Sequence, residues 1–285
     1  MTRQIALIGD PVDHSLSPQM QTEAFEAVGL DWTYQRLRVP RHELRARWEG
    51  LGSEFWGLNV TAPLKEDVAR LVTRVTTTAG RCRSVNTVTF EAGEALGDST
   101  DGEGFMTALA RAGMQHVRCA AVLGTGGAAR AVVAALAERG SRVTVLGRNP
   151  AAGLEMVHGL VEAMGAEVAY APLGARELAG ALGGADLLVN ATPLGGTSFP
   201  LISPVPETVH LAAGLTVVDL VYRPRRTALL EGAEAAGCRV VEGVEMLVAQ
   251  GALSFERWTG RQAPVETMRL AAYRALDGLP AGSPR

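Results

Sequence analysis

At 285 residues, 47% of them hydrophobic and 20% charged, the chain has the apolar material for about two packed domains. A net charge of −3 with only 5% aromatic residues argues against a nucleic-acid surface, a base-stacking platform or an anionic membrane partner. Three scattered cysteines (Cys82, Cys119, Cys238) and five histidines form neither a metal-ligand spacing nor a disulfide framework, so no metal and a reducing cytoplasm are expected.

The apolar run 5–8 reads as a buried strand, too short for a signal peptide or a membrane span. It leads into Gly9-Asp10-Pro11-Val12-Asp13-His14-Ser15-Leu16-Ser17-Pro18, where Ser17-Pro18 open a helix stopped at Gly29. Ser15 and Ser17 at a helix start either present hydroxyls to an anion or form a cap pair with no ligand. Residues 32–39 read as a strand, 42–50 as a helix and 57–61 as a third strand leading through Pro63 into another helix. Lys65 lies there, the single lysine among 27 lysines and arginines. An arginine cannot release its proton at working pH, whereas a lysine can. The lone lysine thus either marks a position that needs an amine or survives by chance on a solvated helix face. Residues 84–90 begin a hairpin whose turn is 91–94.

From about residue 104 the texture changes to alternating strands and helices. A helix over 105–112 is followed by a strand at 119–123, a glycine-rich turn, a helix over 128–138 and a strand at 142–146. Further strands are expected at 167–171, 185–190, 215–220 and 239–241, and helices at 244–257 and 264–277. A Gly/Pro/Ser-rich tail, 278–285, is expected to be loose. The turn Gly124-Thr125-Gly126-Gly127-Ala128-Ala129 lies between strand and helix and fits G-x-G-x-x-[GA]. Gly124 permits the tight turn, Gly126 lets a pyrophosphate approach the backbone, and Ala129 keeps the helix close to the sheet. The next strand ends Leu146-Gly147-Arg148-Asn149-Pro150, with no acid for the ribose hydroxyls and Arg148 placed for a 2′-phosphate. This predicts NADP as cofactor.

These motifs resemble the shikimate dehydrogenase family. The resemblance rests on His14 to Pro18, Asn59 to Lys65, Asn86-Thr87, Gly124 to Arg130, Asn190 to Pro193, Asp219 to Pro224 and Met246 to Gly251, in order along nearly the whole chain. It implies an α/β fold with an N-terminal substrate domain, residues 1–103, completed by C-terminal helices 244–285. A Rossmann-type doubly wound NADP-binding domain, 104–243, would complete the fold, with the active site in the cleft between them. It implies Lys65 and Asp101 as the catalytic pair, Ser15 and Ser17 for the substrate carboxylate, and Thr61, Asn86, Asp101 and Gln250 for ring hydroxyls. Tyr222 would approach the substrate, and Thr125, Gly127, Ala128, Asn149, Thr192 and Gly243 would join Gly124, Gly126, Ala129 and Arg148 at the cofactor. Read from the residues alone, Asp101 is equally a cap for the helix near Phe105, Asn86 and Gln250 are satisfied buried amides, and Tyr222 is packing.

The implied activity is reversible NADP-dependent reduction of 3-dehydroshikimate to shikimate in chorismate and aromatic amino acid biosynthesis, by a cytoplasmic monomer or homodimer. The alternatives are a quinate or dual quinate/shikimate dehydrogenase and, in another class, a non-catalytic NADP-sensing module. The chain departs from the family pattern at Ser99-Thr100-Asp101, where Asn-Thr-Asp is usual. It departs again at Gln21-Thr22, where His-Asn is usual, and at Gly147-Arg148-Asn149, which has no second basic residue close behind.

Overall fold

The computed structural model describes residues 2–278, so the expected loose tail lies outside the described residues beyond Gly278. The chain divides into two compact units, Met1–Gly104 with Leu247–Arg285, and Phe105–Met246.

In the first unit, β1 (Arg3–Gly9) is flanked by two parallel partners and is buried from Ile5 onward, as its unbroken apolar run requires. The edge strand β2 (Trp32–Arg38) instead keeps most of its side chains at least partly in solvent. Between them α1 (Ser17–Ala27) stops at Gly29, whose φ of +68° few other residues adopt. Then follow α2 (Leu44–Glu54), β3 (Gly57–Val60), α3 (Lys65–Leu71), β4 (Arg74–Val75), α4 (Thr77–Cys82), β5 (Thr87–Glu91) and β6 (Glu94–Asp98). The six-stranded order is β2-β1-β3-β5-β6-β4. The short β4 and α4 carry no readable period in the sequence and emerge only in the structure. The hairpin turns over 91–94 as expected. Glu91 pairs with Glu94, and Ala92 (φ 51°) and Gly93 (φ 82°) alone make the turn, since two left-handed residues match the strand twist.

The helix expected over 105–112 begins four residues earlier, as α5 (Asp101–Arg111). Gly102 and Gly104 hide its start in the sequence, while Asp101 and Glu103 suit the positive end of a helix. Asp101 is therefore inside the first turn, and is no cap for a helix at Phe105. Phe105 opens the second unit, which holds β7 (Cys119–Leu123), α6 (Gly127–Glu138), β8 (Arg142–Gly147), α7 (Pro150–Met164), β9 (Val168–Pro172) and α8 (Ala175–Leu182). It continues with β10 (Leu187–Asn190), β11 (Thr216–Asp219), α9 (Ala228–Ala235) and β12 (Arg239–Val241). Its sheet is all parallel, in the order β12-β11-β10-β7-β8-β9. Numbered within the unit this is 6-5-4-1-2-3, the dinucleotide-binding order, with its switch point between β7 and β10. Val217, Leu188, Ala121 and Leu146 form a continuous core with residues of α8 and α9.

The last helices are α10 (Gly243–Thr259) and α11 (Val265–Leu276). From Leu247 they belong to the first unit. Phe255 stacks on Phe25 of α1 at 5.5 Å between centroids. Trp258 Nε1 donates to the carbonyl of Val88 at 3.0 Å, and any Cβ at Gly57 would lie 2.5 Å from that indole nitrogen. A glycine at 57 is thus what lets α10 seat on the sheet. Among the described residues no helix is long and apolar enough to cross a membrane, and no His/Cys/Asp/Glu group is arranged to hold a metal.

Candidate active site

Strand direction gathers the polar residues of the first unit at one edge of its sheet. β1 and β3 are parallel and end there, antiparallel β5 begins there, and β6 returns to it. The segments leaving those ends carry Ser15 and Ser17, Thr61 and Lys65, Asn86, and Asp101. Asp10 N donates to Ala62 O at 3.1 Å, tying the first two segments together. A Cβ at Gly9 would come within 2.3 Å of the Thr61 methyl, so the approach of these loops depends on that glycine.

Lys65 Nζ donates to Asp101 Oδ2 at 2.6 Å, with side-chain exposures of 14% and 4%. The other carboxylate oxygen, Oδ1, accepts from Asn86 Nδ2 at 2.9 Å. Asn86 Nδ2 also faces Thr100 Oγ1 at 2.9 Å and Gln250 Oε1 at 3.0 Å. Asn86 Oδ1 accepts from Thr100 N at 2.8 Å, a backbone donor that sets which way the amide points. Gln250 reaches this cluster because α5 and α10 cross closely at Gly104. A Cβ there would stand 2.6 Å from Gln250 N. The lone lysine is therefore on no solvated helix face. It is a mostly buried ammonium held by one carboxylate, with residual exposure from which a bound molecule could reach it.

Ser15 Oγ accepts from Ser17 N at 3.2 Å, and Arg36 Nη2 donates to Ser15 O at 2.6 Å. The N-cap of α1 is Leu16 with no side-chain cap, so the expected cap pair is not formed; Ser15 only accepts from the first helical N–H. A hydroxyl that accepts one bond still has its own proton to donate, so this contact and a bound anion are compatible. Thr61 sits half-buried after β3. Gln21, where His is usual, donates through Nε2 to Gly251 O at 2.9 Å and so fastens α1 to α10.

In the second unit the parallel strands deliver Gly124 to Ala129, Arg148 and Asn149, Thr192, Tyr222 and Gly243 to the carboxyl edge of the sheet. Gly124 has φ +115° and lies so near the end of β10 that a Cβ would be 2.9 Å from Ala191 O. A Cβ at Gly126 would meet nothing within 4 Å, leaving open space at the N-terminus of the twelve-residue α6. Open room, the first amide N–H groups of a helix and its positive end suit a pyrophosphate. Ala129 is fully buried against the sheet. Gly147 leaves space for Thr125, whose methyl would be 2.6 Å from a Cβ there, so the glycine turn and the exposed Arg148 lie side by side. Asn149 caps α7, its side chain accepting from Ala152 N at 3.2 Å, which commits that oxygen to the fold. Tyr222 is half-buried in the loop after β11.

The family model of the shikimate dehydrogenase substrate binding domain matches residues 7–88, and that of the shikimate 5'-dehydrogenase C-terminal domain matches residues 243–273. The chain is 42% identical over 279 residues to the NADP(+) shikimate dehydrogenase of Methanopyrus kandleri, covering 96% of both proteins. The chain belongs to the shikimate dehydrogenase family. Its fold is similar to that of shikimate 5-dehydrogenase from Thermus thermophilus, solved in complex with NADP(H) and shikimate. The TM-score is 0.84 and the identity 40%, covering 97% of this chain and 100% of that one. It is also similar to quinate dehydrogenase from Corynebacterium glutamicum, solved in complex with NAD, with a TM-score of 0.85 and 29% identity, covering 95% and 98%.

In this shikimate dehydrogenase family member, two groups of residues support the site without having been singled out by role from the sequence. Asp219, fully buried at the end of β11, accepts from Thr227 Oγ1 at 2.6 Å, Asn190 Nδ2 at 2.8 Å and Val221 N at 3.0 Å. Burial pushes its carboxyl up to about 6, against the pull of those three donors. Asn190 Oδ1 in turn accepts from Thr192 Oγ1 at 2.6 Å. The two motif residues together hold the loops bearing Thr192 and Tyr222. A Cβ at Gly243 would sit 2.6 Å from both Asp219 O and Val221 O. The second group, Asn59, Thr87 and Ser254, lies behind Asn86. Polar residues interrupting otherwise apolar strand and helix faces were the available signal.

Proposed function

We infer that the chain is an NADP-dependent shikimate dehydrogenase, reversibly reducing 3-dehydroshikimate to shikimate in aromatic amino acid biosynthesis. One observation carries the reading: the molecule's only lysine is mostly buried and holds its ammonium 2.6 Å from Asp101. Reduction of a ring ketone builds negative charge on the carbonyl oxygen. An ammonium beside that oxygen stabilises the charge and supplies the proton. Asp101 keeps the ammonium in place, and it accepts a bond from the neighbouring ring hydroxyl. Ser15 and Ser17 donate their hydroxyl protons to the ring carboxylate, while Thr61, Asn86 and Gln250 bind ring hydroxyls. Tyr222 contributes from the loop that Asp219 anchors.

Bound NADPH supplies the hydride. The α6 N-terminus and the turn Gly124, Thr125, Gly126, Gly127, Ala128 and Ala129 would hold its pyrophosphate, with Thr192 and Gly243 beside them. Arg148 would pair with the 2′-phosphate. Asn149 would act here by shaping the start of α7. A regulatory sensor would need the glycine turn alone, so a buried Lys65–Asp101 pair, which costs desolvation, favours an enzyme.

The second reading, a quinate or dual dehydrogenase using NAD, has support in the likeness to the Corynebacterium enzyme. Arg148 and the missing acid after β8 weigh for NADP. Following reduced-nicotinamide absorbance with shikimate or quinate, each with NADP or NAD, separates the readings. Turnover should be highest with shikimate and NADP. A preference for quinate with NAD would replace the first reading by the second, and no turnover with any pair would favour the sensor.

A further inference from the structure

Resting on the reaction proposed above, we propose that Ser254 is a positioning residue for catalysis. Through Thr87 it reinforces the orientation of the Asn86 amide that Thr100 N already favours and that donates to Asp101, and through Asp101 it helps aim Lys65. Ser254 lies on α10 with no exposed surface, so its hydroxyl serves the interior alone. That hydroxyl meets four partners: Thr87 Oγ1 at 2.7 Å, Gln250 O at 3.0 Å, Asn59 Nδ2 at 3.1 Å and Thr100 Oγ1 at 3.3 Å. Three other segments, carrying Asn59, Thr87 and Thr100, therefore converge on one oxygen of α10.

Each hydroxyl has a single proton, and counting protons orders the network. Tyr34 OH donates to Asn59 Oδ1 at 2.8 Å, which turns Asn59 Nδ2 toward Ser254. Asn86 Nδ2 donates to Thr100 Oγ1, so Thr100 directs its own proton to Gln250 O at 3.0 Å. With Gln250 O taking the Thr100 proton, Ser254 gives its own to Thr87 along its shortest contact rather than to Gln250 O at 3.0 Å, and Thr87 gives its proton to Asn86 Oδ1 at 3.1 Å. The donors from Tyr34 through Asn59, Ser254 and Thr87 to Asn86 thus run in one direction, toward Asp101. Aligned bonds polarise one another and so favour this arrangement. Without the Ser254 hydroxyl, Asn59 Nδ2 loses an acceptor and Thr87 loses the donor that commits its proton to Asn86. The amide of Asn86 then has less to hold it against its flipped form.

The test compares Ser254→Ala and Ser254→Cys, the latter keeping the volume with a poor hydrogen-bonding group, alone and in a Thr87→Val background. Both Ser254 variants should lose about tenfold in kcat/KM for shikimate, the loss of one ordinary buried hydrogen bond. The KM for NADP should stay unchanged, and Ser254→Cys should keep nearly the parental Tm. In the Thr87→Val background either Ser254 substitution should cost little more. Unaltered kcat/KM in Ser254→Cys, or losses that simply add to that of Thr87→Val, would overturn the proposal. A parent chain with no turnover on shikimate overturns the proposed function, and this inference with it.

Discussion

The two units build their candidate sites in opposite ways. In the Phe105–Met246 unit the working groups are backbone: a turn of consecutive residues, Gly124 to Ala129, opening one helix. In the other unit they are side chains drawn from five segments, with Asn86 and Gln250 in contact across 164 residues of chain. A backbone site needs only local geometry and glycines where a Cβ is intolerable. A side-chain site needs the sheet edge, the α5–α10 crossing and a satisfied polar interior behind it. The first should fail through the cofactor, the second through the chemistry.

The largest break in that comparison is at Lys65. Lys65→Ala should lower turnover by about a hundred- to ten-thousand-fold, the usual worth of a positioned acid, with the NADP dissociation constant unmoved. Lys65→Arg should fail as well, since guanidinium is larger and a very poor acid. Near-normal steady-state rates in the arginine variant would sink the acid role.

Next come two glycines whose replacement should show in different measurements. Gly124→Ala forces a side chain into φ +115° and 2.9 Å from Ala191 O, and should abolish NADP binding at a cost of about 1–3 kcal/mol in stability. Gly104→Ala pushes a Cβ to 2.6 Å from Gln250 N, so it should destabilise by a similar amount, about 1–3 kcal/mol, and remove turnover while sparing NADP affinity. Titration calorimetry with NADP beside denaturant unfolding would check both. Loss of NADP binding in Gly104→Ala would erase the distinction.

Arg148→Ala is expected to be milder. It should weaken NADP by about tenfold to a hundredfold, one charge-assisted hydrogen bond, and leave NAD affinity alone. Equal weakening of both cofactors would show that Arg148 does not read the 2′-phosphate.

The smallest effect is on stability against pH. Asp219 is raised from 3.8 to about 6 by burial, so the folded state binds this proton more tightly than the unfolded chain does. Stability from this group is complete below about pH 4 and is lost as the pH rises through about 6. Asp219→Asn cannot ionise, so its unfolding midpoint should gain on the parent across that window. Midpoints that run parallel from about pH 4 to about pH 7 would mean Asp219 is not the titrating group.

The glycine turn, its strand-to-helix setting and Arg148 were legible because each depends on neighbours within a few residues. The lone lysine stood out by composition, and the pattern of motifs supplied Asp101. Hidden from the sequence were the start of α5, masked by two glycines, and the one-oxygen convergence on Ser254. So was the cap role of Asn149. Local spacing alone determined most of the order of strands and helices, β4 and α4 excepted, and the dinucleotide turn, because hydrophobic period and steric permission are properties of adjacent residues. Which polar side chains meet, and which way each amide faces, was decided only by the tertiary structure, because a buried donor takes whatever acceptor the packed elements bring within about 3 Å.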